Sequence, residues 1–380
     1  MKGSITKRGK ASWRIKFDLQ PGPDGKRQSR FVTVRGGKKD AQQKLAELLV
    51  AVGKGAYVDP SRLTVADHVS ARIGVWQSAG EIGAHTLKRY NDTLELHVRP
   101  HIGRIALQKL STLDVETWHK QLRPRLSPRS IRAAHRLLSK ALADGVRHSL
   151  ITHNVAGREG QRAPKVPREE VTIIKKGEID NVVVKLRGTP IYAQAMVALF
   201  CGLRIGEICA LRWGRIDLDR KTIDVREAVE EVAGEPLTTK GPKTEAGLRK
   251  VTMPDVVVDA LRDHRRVQLE TRMALGQGRM QDDTLVFPAG DGDLKRPTNL
   301  SRTWRRIGAA DVNFHALRHT HASQLIANKL DIVMISRRLG HSSPAITLSI
   351  YAHLFDEDDS RAADAINESL GASSVPKKAG

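Results

Sequence analysis

The chain has 380 residues, 40% of them hydrophobic, enough to build two or three folded domains and to exclude a disordered protein. Lysine and arginine number 64 against 42 acids, a net charge of +22, so a polyanionic partner is expected and nucleic acid is the commonest one. No run of 18 apolar residues or secretory apolar block is present, and Cys201 and Cys209 fit neither a disulfide framework nor a zinc site; a soluble cytoplasmic protein without membrane attachment is expected.

The basic excess is concentrated. Residues 1–55 hold 14 basic and 4 acidic side chains, residues 61–168 hold 19 and 8, and the rest of the chain is nearly balanced. A merely solubilising surface would mix the two signs, and an anionic membrane would call for one amphipathic helix with a Trp/Phe face. The stretch "SITKRGKASWRIKFDL" alternates like strands, with Trp13, Ile15 and Phe17 on one face and Arg14 and Lys16 on the other. "PGPDGK" reads as a turn and "RQSRFVTVRG" as a further strand. "KKDAQQKLAELLVAVG" follows as a helix, with Ala41, Leu45, Leu48, Leu49 and Val52 on one stripe and Gly53 as its stop. The result is a small antiparallel sheet backed by a helix. Arg14, Lys16 and Arg30 are either solvated strand residues or a face that enters a DNA groove.

"GKGAYVDPSR" reads as a linker. Four helices are then expected between residues 63 and 156. Thr64 caps the first, with Asp67 at capping-box spacing. "HTLKRYNDTLELHV" is the second, stopped by Pro100, and "TLDVETWHKQLR" opens at Thr112. "SPRSIRAAHRLLSKALADGVRH" is the fourth, with Ile131, His135, Leu138 and Leu142 on its apolar face. Lys88, Arg89, Arg129, Arg132 and Arg136 are candidate phosphate contacts. "GREGQRAPKVPREE" reads as an extended linker, and residues 171–370 as a mixed segment of helices and a few strands, "TLVFP" included.

Four fragments of this last segment stand out: "CGLRIGEICALRW", "GPKTEAGLRKVTMP", "FHALRHTHASQL" and "LGHSSPAITLSIYAH". Singly, each has a plain structural reading. Arg204 could pair with Glu207, Lys243 could sit in a turn, and Tyr351 could pack in a core. His315, His319 and His321 could suggest a metal, but no Glu stands in an H-E-x-x-H pattern, so no metal is expected. Together, two arginines, a lysine, two histidines and a tyrosine can grip and cleave a phosphodiester. Guanidinium forks neutralise a pentacoordinate phosphorus, and cations activate a phenol of pKa roughly 10.

In these four fragments the chain resembles the tyrosine site-specific recombinases, the phage-integrase family. The resemblance implies Arg204, Lys243, His315, Arg318, His341 and Tyr351 as catalytic residues, with Glu207 orienting Arg204. Ala316 stands where an acid often stands in the family. "TLKRYNDTLELHVRPHIGRIALQKLSTLDVETWHKQL" is similar to the family's core-binding domain, and residues 4–53 to its three-stranded arm-binding domain. The implied fold class is multidomain α+β. A small N-terminal three-stranded sheet plus helix (1–55) precedes an all-α core-binding domain (63–157) and a linker (158–170). A mixed, mainly helical catalytic domain with a small antiparallel sheet (171–370) and a tail (371–380) complete it.

The implied activity is integration or excision of a mobile element through a 3′-phosphotyrosine, without metal, ATP or other cofactor. The implied partners are double-stranded DNA at core and arm sites, four protomers on that DNA, a host bending protein and an excision factor. The stretch "DEDDSRAADAINESL", with Ala363, Ile366 and Leu370 on one side, reads as a helix that docks on its own domain or on a neighbour. A chromosome-dimer or plasmid-resolving recombinase usually lacks the sheet module. A relaxing topoisomerase would need no second DNA site. A non-catalytic regulator would lack one of the six side chains.

Overall fold

The computed structural model describes residues 3–19, 28–53, 57–167, 171–242 and 244–355, together with 363 and 366–369. It divides into two compact units, Met1–Pro167 and Arg168–Gly380.

The first unit opens with three antiparallel strands, β1 (Gly3–Gly9), β2 (Ser12–Asp18) and β3 (Ser29–Arg35), in the order β1-β2-β3. The continuous alternation read from the sequence is broken at Lys10–Ala11, where the chain reverses. Ile15 and Phe17 are fully buried against α1 (Lys38–Gly53), joined there by Ala41 and Val52 and by the half-buried Leu45, Leu48 and Leu49. Period-two alternation on a strand and period-3.6 spacing on a helix thus meet on one core. Of the expected linker, Tyr57 packs edge-on against Phe17 at 5.0 Å, and the backbone carbonyl of Asp59 accepts from Gln108 at 2.7 Å. The "PGPDGK" turn lies outside the described residues.

Four helices follow: α2 (Val65–Ser78), α3 (Ala84–Thr93), α4 (Thr112–Leu122) and α5 (Pro128–Arg147). Thr64 accepts from Asp67 N at 3.2 Å, and Ser111 and Asp114 form a reciprocal capping box. α3 continues through Leu94–Val98 in a wider turn, in which Arg99 N donates to Leu94 O at 2.8 Å. The extra residue turns both Leu94 and Val98 into the core and leaves His97 O to accept from Trp118 Nε1 at 2.7 Å. Trp76, Trp118, Leu137, Leu138 and Leu142 are all under 2% exposed; each such side chain stabilises the bundle by about 1.5–3 kcal/mol. A polar knot lies within this unit. Asp144, 4% exposed, accepts from Trp76 Nε1 at 2.9 Å and Arg72 Nε at 2.7 Å.

The second unit begins with α6 (Ile179–Leu186), α7 (Tyr192–Cys201) and α8 (Ile205–Cys209). α7 is apolar almost all round, and such a helix belongs in the middle of a domain. It is buried from Ala193 to Leu199 between α9 (Asp255–Ala274) and α11 (His315–Ala327). Two small sheets follow α8: β4 (Ile216–Asp217), β5 (Thr222–Val225) and β8 (Arg249–Thr252) in one, and β6 (Ala228–Glu230) with β7 (Thr238–Lys240) in the other. α10 (Pro297–Ile307), α12 (Ile332–Leu339) and α13 (Pro344–Tyr351) complete the described elements. "TLVFP" is not a strand: Leu285 makes one isolated bridge to Arg212, and the chain then turns away. Of residues 356–370, only Ala363 and 366–369 are described.

Candidate active site

The site is built around a buried carboxylate. α7 ends at Gly202 in a left-handed turn (φ +70°), where a Cβ would lie 2.6 Å from the His321 ring. The chain then enters α8, whose third residue, Glu207, reaches back to accept from Arg204 N at 2.8 Å. The same carboxylate accepts from Arg204 Nη1 at 2.8 Å and from both Nη atoms of Arg249 at 3.0 and 2.8 Å. Burial raises the Glu207 carboxyl, but hydrogen bonds and charge from Arg249, then Arg204, overcome it and hold the group at about 2. Arg204 also donates to Gly340 O at 2.9 Å, and Arg249 to Arg338 O at 2.8 Å. Three elements distant in sequence are tied to one acid.

α11 supplies the next group. His315, Arg318 and His319 share one face at i, i+3 and i+4. Arg318 is 3% exposed and donates to Gly202 O at 2.5 Å and Leu339 O at 2.7 Å. Burial and the neighbouring Arg204 lower it to about 9, so it remains a cation at neutral pH. His341, just past α12, shares a hydrogen bond with Thr347 Oγ1 at 2.8 Å. Burial, then Arg318 and Arg204, push His341 down to about 4. Tyr351, the last residue of α13, is 1% exposed, and burial lifts its phenol to about 12 against the pull of Arg318. Its hydroxyl shares a 2.7 Å hydrogen bond with His319 Nδ1. The His319 ring meets His315 at 4.7 Å and 90°, and burial, then His315 and Arg318, push His319 to about 4.

At neutral pH this is a set of uncharged imidazoles and a protonated phenol among three guanidiniums and one carboxylate. The positive excess suits an anion whose charge grows during reaction.

Arg204, Glu207, His315, Arg318, His341 and Tyr351 are thus brought together in the second unit. Lys243, three residues after β7, lies outside the described residues. The histidine trio of "HALRHTH" is divided: His321 turns away to accept from Arg338 Nε at 3.0 Å. Two residues of the cluster escaped the sequence reading as members of it. Arg249 stands two residues before the buried Val251 on β8, and that parity marks it as inward-facing. In the sequence His319 reads as a metal-ligand candidate, and its i+4 relation to His315 is the signal that places it on the same face.

In the first unit, Arg14 and Lys16 share the outer sheet face with the exposed Phe31, the Arg14 guanidinium lying 4.2 Å above its ring. Arg30 is not on that face. It stands opposite the buried Phe17 in the β2–β3 register, so its side chain leaves on the other side and pairs with Asp59 at 2.8 Å. Arg132 is also engaged, donating to Pro164 O at 2.9 Å. Lys88 pairs with Asp92 at 3.4 Å, and Arg89 lies over the Tyr90 ring. Arg129 and Arg136 are exposed on α5.

Residues 174–358 match the phage integrase family. Over that stretch, just under half of its length, the chain is similar to the family. A tyrosine recombinase XerC-like protein of Caldanaerobacter subterraneus subsp. tengcongensis is 26% identical to this chain, over 97% of it and 98% of the relative. An integrase of Streptomyces ambofaciens is 28% identical over 89% of this chain and 88% of its own. The fold is that of the Tn1549 transposon integrase in complex with transposon right end DNA, with a TM-score of 0.68, 18% identity, and 81% of this chain and 99% of that one covered. A lambda integrase tetramer bound to a Holliday junction aligns at a TM-score of 0.55 and 15% identity, over 90% of this chain and 96% of that one.

Proposed function

We propose that this chain is a site-specific DNA recombinase, an integrase, that cuts and rejoins DNA through a 3′-phosphotyrosine at Tyr351. The observation that carries the reading is a tyrosine hydroxyl bonded to His319 within the field of Arg318, in a cluster where Arg318, Arg204, Arg249 and His341 neighbour one another and Glu207 orients Arg204 and Arg249. Arg204, Arg318 and His341 grip the scissile phosphate, and their positive excess stabilises the pentacoordinate phosphorus. Tyr351 attacks, Lys243 protonates the departing 5′-oxygen, and His315 assists proton movement. The phosphotyrosyl ester conserves the energy of the broken bond, so a free DNA hydroxyl reseals the strand without ATP, metal or other cofactor. Because Tyr351 is 1% exposed, the surface covering it has to open before a phosphate reaches the hydroxyl.

Residues 63–157 clamp the core site, and 1–55 bind arm sites through the Arg14–Lys16–Phe31 face, with 158–170 as the linker. Residues 171–370 carry the catalysis and 371–380 form the tail. The proposed assembly is four copies on two DNA sites, with a host bending protein and an excision factor setting direction. No described helix is long and apolar enough to cross a membrane, in keeping with work on DNA in the cytoplasm. The name of the XerC-like relative supports a second reading as a chromosome-dimer or plasmid-resolving recombinase; that relative aligns with 97% of this chain, so the presence of residues 1–55 does not separate the two readings.

The test is a nicked suicide duplex resolved on a denaturing gel. Wild type gives a covalent adduct, and an adduct that persists in Tyr351→Phe overturns the nucleophile. Deleting residues 1–55 abolishes integration and spares core-site cleavage; integration that survives the deletion overturns the arm-binding reading of that segment.

A further inference from the structure

We propose that His319 is the residue that orients the Tyr351 hydroxyl and receives its proton during attack, a task that four-residue spacing on α11 separates from the work of His315. The inference rests on Tyr351 being the nucleophile.

The hydrogen-bond direction follows from what is buried. Tyr351 is a protonated phenol 1% exposed, and a buried hydroxyl needs an acceptor. Among the described residues its one hydrogen-bond partner is His319 Nδ1, at 2.7 Å. Nδ1 therefore accepts, and the ring proton sits on Nε2. His315 makes no hydrogen bond to Tyr351 among the described residues; it packs edge-to-face on His319 and fixes the plane of that ring. The acceptor is thus aimed before any substrate arrives.

In the step itself the Tyr351 O–H bond breaks as the oxygen–phosphorus bond forms, and the proton passes to Nδ1, leaving an imidazolium. The phosphorus–O5′ bond breaks, and O5′ takes its proton from a separate acid, the position assigned above to Lys243. Religation runs the same events backwards: the imidazolium returns the proton to the departing phenol oxygen. In the DNA-free protein burial, then His315 and Arg318, disfavour a cation on His319. A phosphate carrying growing negative charge reverses that preference, so phenolate is not made until there is a phosphorus to attack.

The experiment uses the full chain and a nicked suicide duplex whose sequence is recovered from DNA covalently retained on the wild-type protein. His319→Asn keeps an oxygen acceptor near the Nδ1 position but cannot carry the proton; His319→Phe removes both. Both variants should bind the duplex as wild type does and form the adduct about 100-fold or more slowly at neutral pH, the usual scale of a positioned base. Their rates should then climb about tenfold per pH unit through a range where wild type is flat, because hydroxide must replace the missing acceptor. A slow, pH-parallel profile in both variants would mean a structural role only and overturn the proposal, as would wild-type rates. Should His319→Phe fail to fold, His319→Asn alone decides between these outcomes. An adduct in Tyr351→Phe would instead overturn the nucleophile on which the proposal stands.

Discussion

Arg249→Met tests whether the buried carboxylate organises the site as its geometry implies. The substitution keeps an apolar stem of similar length but removes both donors to Glu207, at 3.0 and 2.8 Å, in a pair whose side chains are only 6% and 5% exposed. Glu207 is held at about 2 against an ordinary 4.5, which corresponds to about 3 kcal/mol of folding free energy. Arg249 supplies the larger share of the lowering interactions and Arg204 the rest, so the variant should lose about 2–3 kcal/mol, close to the lower end for breaking a buried ion pair. The sign fixes the pH dependence. A depressed carboxyl stabilises the fold fully above pH 4.5, and that contribution is lost as the pH falls towards 2. The gap between wild type and variant should therefore be full at pH 7 and about half as wide at pH 3. A chain of two compact units calls for a local probe, so the measurement is hydrogen exchange across a urea series, followed in peptides covering residues 204–211 and 249–253. A gap of the same size at both pH values would show that Arg249 acts by packing rather than charge. No gap at all would remove Glu207 from its central place.

Asp144→Asn leaves Arg72 without its carboxylate inside the helical bundle and should cost about 3 kcal/mol, read as a lower melting temperature for the first unit. Arg14→Ala and Lys16→Ala should each weaken DNA binding and reduce its salt slope by about one, whereas Arg30→Ala, already paired with Asp59, should leave the slope unchanged; fluorescence anisotropy at several salt concentrations separates them. Gly202→Ala places a Cβ 2.6 Å from the His321 ring in a left-handed turn and should destabilise the second unit by at least about 1 kcal/mol; an unchanged urea midpoint would contradict the packing described.

Local periodicity carried much of the fold. Trp13, Ile15 and Phe17 announced a strand face, and Thr64 with Asp67 announced a helix start, because both signals act over a few residues. The six chemistry-bearing side chains were visible as fragments whose residue types suit a phosphodiester. What the sequence hid was pairing at a distance. The side chosen by Arg30 depends on the register that sets it opposite Phe17, and one residue of slip would have reversed it. The union of Arg249 with Glu207 spans 42 residues, and that of His319 with Tyr351 spans 32; neither has a local pattern to betray it. "TLVFP" has strand composition, but strand formation needs a neighbour with free backbone groups over several residues, and the segment finds them only over residues 211–213, enough for a single bridge.

Arg318 and Arg204 are anchored on main-chain oxygens, those of Gly202, Leu339 and Gly340, at or beside the C-terminal ends of α7 and α12. Helix carboxyl ends carry partial negative charge, and every chain that makes the same turns offers the same oxygens whatever its side chains are. Evolution can therefore rewrite the flanking surfaces freely and leave the anion grip in register, provided glycine remains at the two left-handed corners.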